Sequence, residues 1–416
     1  MSEKVYIQYR KLKAFGNRIC FALCRIFPIR KNRISVCTFE GKSGFGCNPK
    51  YIVEELHKRN KEYVFIWFVN DMYKEFPAYI KKVPNTLWSR AYWLSTSKIW
   101  IDNYRKPYGT CKRRGQYYIN TWHGNITFKS IGLWRGAAFS KMAYLVSKND
   151  SAMIDNVVID SEWCAKVYPK GMLYNGNYLK VGAPRCDALY GDKTKYKEKF
   201  YQRYGLDKES RIVMFAPTFR EKSIKGKRTV YSEAWTLDFS RLLNILEKKF
   251  GGKWYLCLRL HPQLASNINE YKEPSVQGRM IDVSHLDDMY EILAAVDVFI
   301  TDYSCAAMEA GFARIPVFLY ADDIEQYLND RGSMMWDMSG DSKKQITNNK
   351  KMTPDIDVIL PYPMAQNNDE IEENIMKFDE KKYLVMLEEF EKGVQLVFDG
   401  KASEKVADEI EKYMQA

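Results

Sequence analysis

From Ile34 onward the chain alternates short apolar runs with amphipathic stretches of helical spacing. ISVCTF (34–39), YVFIWFV (63–69), KIWID (98–102), YYINTW (117–122), NVVID (156–160) and YLKVG (178–182) read as strands. They are rich in β-branched and aromatic residues and nearly continuous in hydrophobicity, as strands buried on both faces are. The series restarts after a charged helical stretch near 193–205. RIVMFAPT (211–218), KWYLCLRLHP (253–262), MIDV, DVFITD and IPVFLY follow, with helices between them. Strand–helix alternation of this kind predicts parallel sheets. The pattern therefore predicts an α/β chain with two Rossmann-like, doubly wound domains facing a cleft, at 34–206 and 207–378. Residues 379–416 read as C-terminal helices. In open parallel sheets ligands bind beyond the carboxyl ends of the strands, so candidate chemistry belongs at strand ends.

The first 33 residues depart from this pattern. They carry nine Lys/Arg and one acidic residue, which is +8 of the formal net charge of +12. Tyr6, Ile7, Leu12, Phe15, Ile19, Phe21, Leu23, Ile26 and Phe27 are interleaved with those charges. The segment 1–33 reads as a basic amphipathic membrane-contact segment for an anionic bilayer surface. The plainer alternative is a solvated helix packed on the first domain. Its longest apolar run, ICFALC, is far short of the roughly 20 residues a membrane span needs. Beyond residue 33 the charges nearly balance, which argues against a nucleic-acid partner. Nine cysteines with no C-x-x-C pair read as free thiols of a reducing compartment.

Two histidines stand at strand ends. His123 follows YYINTW and precedes Gly124, whose missing Cβ lets a substrate or backbone come close. His261 ends LRLHP. An imidazole at a strand end suits a general base; a loop-capping role is the alternative. His57 reads as surface and His285 as a cap. In DVFITDYSCAAMEAGF a buried strand ends at Asp302, and Tyr303, Ser304 and Cys305 turn into a helix of small residues. Helix N-termini attract anions, and Glu309 one turn on suits a ribose hydroxyl. An ordinary helix cap is the alternative there. Thr218 and Arg220 in APTFR, and Arg331, suit phosphate. Arg185 and Asp187 in VGAPRCD read as hinge or ligand contact. Gly41 and Lys42 in GKSGFG match neither Walker A nor dinucleotide spacing and are assigned to the acceptor side. Asp355-Ile356-Asp357 carries little weight as a D-x-D metal motif, and no metal site is expected.

Taken in order, FEGKSGFGCNPKYI, TWHG, VGAPRCD, APTFR, LHP, DVFITDYS and RG resemble the CDP-glycerol glycerophosphotransferase family, which builds teichoic-acid-like and capsular polymers. The resemblance spans roughly residues 34–340. It implies a GT-B-type fold with the cytidine nucleotide held mainly by the C-terminal domain. It implies peripheral attachment to the cytoplasmic face of the membrane, where a lipid-linked glycan or polyol-phosphate acceptor sits. It implies that His123 and His261 are the catalytic pair. The implied reaction moves a polyol phosphate from a CDP-polyol donor to an acceptor hydroxyl and releases CMP, with no cofactor. HGNITFK in place of HGTPLK, DYSC in place of DYSS, and Glu309 in place of an aspartate leave the polyol open between glycerol, ribitol and others. A GT-B glycosyltransferase using a nucleotide sugar and a non-catalytic membrane-bound scaffold remain as alternatives.

Overall fold

The structure is a computed structural model. It describes residues 2–415 except 219, 225–226, 232–235, 261–275, 277, 332–333, 337 and 339–357, and omits the side chains of 221–224, 227–231 and 330–331. His261 and Asp355–Asp357 therefore lie outside the described residues, as does the Arg331 side chain.

The chain divides into two units. The first comprises Met1–Asn125, Ile131–Asp187 and Val397–Ala416; the second comprises Ile126–Ser130 and Ala188–Leu396. In the first, seven strands form one sheet: β1 (Arg30–Cys37), β2 (Val64–Val69), β3 (Ile80–Pro84), β4 (Ser97–Asp102), β5 (Tyr117–Asn120), β6 (Asn156–Ile159) and β7 (Asn177–Lys180). Their order is β3-β2-β1-β4-β5-β6-β7, and every pairing is parallel. In the second unit β8 (Arg211–Phe215), β11 (Trp254–Leu258), β12 (Met280–Asp282), β13 (Val298–Thr301), β14 (Val317–Tyr320) and β15 (Met364–Ala365) repeat that scheme. Their order is β12-β11-β8-β13-β14-β15, again parallel throughout. An antiparallel hairpin, β9 (Arg220–Ile224) with β10 (Lys227–Tyr231), follows β8.

The strand sequences explain the sheets. Phe65 to Val69 of β2 and Ile212 to Phe215 of β8 are fully buried, so each strand is apolar on both faces. Strand order reverses between β1 and β4 in the first sheet and between β8 and β13 in the second. Those are the switch points where such sheets leave room for a ligand.

The terminal helices are divided between the units. The helix Glu380–Val394 lies in the second unit, whereas Ala402–Gln415 returns to the first and joins its core through Val406, Ala407 and Ile410. The N-terminal helix Glu3–Cys24 is seated on the first unit by Ala14, Asn17, Cys20, Phe21 and Cys24. The Asn17 amide donates to the Tyr108 carbonyl at 2.7 Å. Gly109, at φ +89°, passes so close to this helix that a Cβ would stand 2.4 Å from the Ala14 carbonyl oxygen. Among the described residues no helix is long and apolar enough to cross a membrane. No disulfide joins any of the nine cysteines.

Candidate active site

The first switch point is built from three turns. After β1, Phe39, Glu40 and Gly41 take successive positive φ values of 46°, 57° and 78°. Such a turn costs energy at each non-glycine residue and persists only where its surroundings hold it. The Phe39 amide donates to Asn103 Oδ1 at 2.8 Å, and the Glu40 carbonyl accepts from the Asn85 and Asn70 amides at 2.6 and 3.2 Å. Gly41 fits because a Cβ would meet Asn85 Nδ2 at 2.8 Å. Lys42 is exposed and paired with Glu40 at 3.3 Å.

After β4 comes Asn103-Tyr104-Arg105-Lys106. The Lys106 ammonium is buried against the Asp102 carboxylate at 2.5 Å. After β5, the expected strand stops two residues early. The Trp122 amide bonds to Asn120 Oδ1 at 2.8 Å, and Trp122 turns at φ 50°. That turn delivers His123 to the switch point, followed by the buried Gly124.

His123 is enclosed by aromatic rings. Its ring centre lies 4.6 Å from that of Trp122, 5.1 Å from Phe39 and 5.3 Å from Tyr104. Its Nδ1 lies 2.6 Å from the Asn103 carbonyl oxygen. A carbonyl only accepts, so Nδ1 carries the proton and the basic lone pair falls on Nε2. Burial, with the charges of Arg185 and Arg105 nearby, lowers its pKa to about 4. The imidazole is therefore neutral at physiological pH.

Arg185 holds this arrangement from behind. Its side chain is buried and donates to the His123 carbonyl at 3.0 Å and to Cys47 Sγ at 3.2 Å. Its amide donates to Asn48 Oδ1 at 3.0 Å, and the Asn48 amide in turn donates to the Trp122 carbonyl at 3.0 Å. Asp187 stands elsewhere: its carboxylate accepts the Ala402 and Ser403 amides at 3.0 and 2.7 Å, opening the last helix. So Arg185 is brought to the histidine and Asp187 is not.

The second switch point joins the ends of β8 and β13. The Thr218 amide and hydroxyl donate to Asp302 at 3.0 and 3.1 Å. Arg220 is buried between two carboxylates, 2.7 Å from Asp302 and 2.5 Å from Asp323. The Tyr303 hydroxyl also donates to Asp323, at 2.8 Å, and the Tyr303 ring stacks on Tyr327 at 3.9 Å. Arg220 is thus neutralised within the protein and braces the turn. Ser304 Oγ accepts the Ala306 amide at 3.3 Å at the start of the helix Ala306–Phe312, and Cys305 is half-buried beside it. Glu309 is buried, with the Tyr290 hydroxyl donating to it. Lys129 also belongs to this unit, with its ammonium 5.7 Å over the Tyr327 ring. Arg331 ends the helix Ile324–Arg331.

Sequence reasoning missed Asn103, Tyr104 and Arg105, and also Asp323 and Tyr327. The first three were signalled by a polar triplet directly after the buried run KIWID. Among the described residues no group of three or more His, Cys, Asp or Glu is arranged to hold a metal.

Two doubly wound parallel sheets, each with polar turns at its switch point, make a GT-B-type α/β fold. The chain belongs to the CDP-Glycerol:Poly(glycerophosphate) glycerophosphotransferase family, whose sequence model matches residues 19–412. The family is one of enzymes, with CDP-glycerol as donor and poly(glycerophosphate) as acceptor. The chain is similar to the teichoic acid poly(glycerol phosphate) polymerase of Bacillus spizizenii, at 27% identity over 81% of this chain and 86% of the relative. It is similar to that organism's teichoic acid poly(ribitol-phosphate) polymerase, also at 27%, over 96% of this chain and 60% of the relative. The solved structure of the wall teichoic acid polymerase TagF superposes with a TM-score of 0.76 at 22% identity, covering 100% of this chain and 99% of that one. That likeness shows the fold.

The geometry at the first switch point predicts the titration of His123. Its imidazole resonances, assigned by their loss in His123→Ala, should move only as the pH falls through about 4 in the ligand-free protein. A transition near the ordinary 6.5 would contradict the burial and the arginine field.

Proposed function

We propose that the chain transfers a polyol phosphate from a CDP-polyol, with glycerol phosphate as the leading candidate, to a hydroxyl of a lipid-linked acceptor at the cytoplasmic face of the membrane. The observation that carries the reading is His123, a neutral base fixed by the Asn103 carbonyl at the switch point of a chain in this family. Relatives named for glycerol phosphate and for ribitol phosphate both align with it, so the polyol stays open within the class.

The acceptor oxygen attacks the phosphorus bonded to the polyol, and Nε2 of His123 takes its proton. The bond from that phosphorus to the bridging oxygen breaks, and CMP leaves with the bridging oxygen. Catalysis of this kind is mostly positioning and charge stabilisation. His261, assigned from its motif, steadies the charge on the phosphates. In this reading the turn Asp302 to Cys305 and Thr218 hold the donor. Arg220 supports that turn from beneath, because its charge is already spent on Asp302 and Asp323. Glu309 orders the helix through Tyr290.

The membrane assignment is supported by the N-terminal helix. Val5, Tyr9, Leu12, Phe15, Ile19 and Leu23 are exposed along it at helical spacing, while its other face packs on the first unit. An exposed apolar stripe amid Lys and Arg suits the interface of an anionic bilayer.

His123→Ala should lower kcat for CMP release by about 10²–10⁴-fold while donor binding persists. Near-normal turnover in that variant would end the assignment of the base. Leu12→Glu combined with Phe15→Glu should reduce co-sedimentation with phosphatidylglycerol vesicles at least tenfold. Unchanged sedimentation would remove the helix from the membrane contact.

A further inference from the structure

We infer that Arg105 is a residue by which the first unit reads the family's polyol-phosphate acceptor, holding a phosphodiester of that acceptor beside His123. This rests on the polyol-phosphate reading above and specifies its acceptor side.

Arg105 follows β4 by three residues and is half-buried. Its guanidinium lies 4.9 Å over the ring of Trp122, the residue before His123, and close enough to depress the histidine's pKa. Its single hydrogen bond is long, from Nη2 to the Gly171 carbonyl at 3.3 Å. No carboxylate of the described residues pairs with it. Arg59 is shared among Glu55, Asp408 and Glu411, and Arg220 between Asp302 and Asp323.

A half-enclosed guanidinium without a counter-charge is costly unless a ligand completes it. Burial lowers its pKa, and the charge of Arg135 presses the same way. Asp150, the acid whose field reaches it, offers weak compensation because burial pushes its pKa up to about 7. One stacked guanidinium with donors to spare suits a phosphodiester anion. The attacking hydroxyl of a polyol-phosphate chain end sits one short polyol away from its own phosphodiester. An anion on Arg105 would therefore present that hydroxyl to the neighbouring imidazole.

The test compares two acceptors: a lipid-linked disaccharide analogue bearing one polyol phosphate, and the same analogue bearing none. The wild-type protein should favour the phosphorylated acceptor at least tenfold in kcat/KM. Arg105→Gln should abolish most of that preference through KM, and Arg105→Lys should restore part of it. Neither should change the KM for the CDP-polyol. A purely structural role would depress both acceptors alike and keep the preference, and that result would overturn the inference. So would equal use of both acceptors by the wild-type protein. Failure of the wild-type protein to consume any CDP-polyol would instead overturn the reading on which it rests.

Discussion

The hydrogen bond from His123 Nδ1 to the Asn103 carbonyl is the contact on which the first site depends. It joins the residue after β4 to the turn after β5, and it decides which ring nitrogen carries the proton. Asn103 is itself tied to the turn after β1 through the Phe39 amide. One asparagine therefore links the three strand ends at the place where the sheet reverses. The strained backbone at Phe39, Glu40 and Trp122 lies around that link, and Cys47, also at positive φ, touches Arg185 behind it. Strain beside a reactive group is one way a fold holds it ready.

The second unit solves the same geometric problem with charge. Its strand ends are joined by Asp302, which takes the Thr218 amide and hydroxyl and one edge of Arg220. Asp323 takes the other edge and the Tyr303 hydroxyl. Removing a charged member of such a buried network leaves an unpaired charge, at a cost of typically about 3–5 kcal/mol. The network fixes the turn after β13, and the Arg220 guanidinium lies 5.1 and 5.2 Å over the Tyr303 and Tyr327 rings. The segment Ile126–Ser130, directly after the histidine turn, is also held here: the Met335 amide donates to the Phe128 carbonyl at 2.7 Å and the Trp336 indole to the Thr127 carbonyl at 2.9 Å.

Much of this was legible in the sequence, for a physical reason. Strands buried on both faces must be continuously apolar, so β2, β8 and β13 announce themselves, and whatever polar residue ends the run stands at the sheet's carboxyl edge. That is how His123, Thr218, Asp302 and Tyr303 were picked out. Partnership was not legible. Arg220 reads as a phosphate cation until Asp323, about a hundred residues later, claims it. Asp187 reads as a hinge or ligand until it caps a helix at Ala402. Arg105 stays hidden in the sequence because a guanidinium that no described carboxylate pairs reads there like a paired one.

In the proposed reaction phosphorus, and not a glycosyl carbon, is the centre attacked. The most direct measurement follows radioactive phosphorus placed in CDP-glycerol at the phosphate bonded to the polyol. Label passing to the acceptor, with unlabelled CMP as the nucleotide product, is the result the account predicts. Label remaining in the nucleotide, released as CDP while the organic group moves without it, would contradict the account and leave the fold without this chemistry.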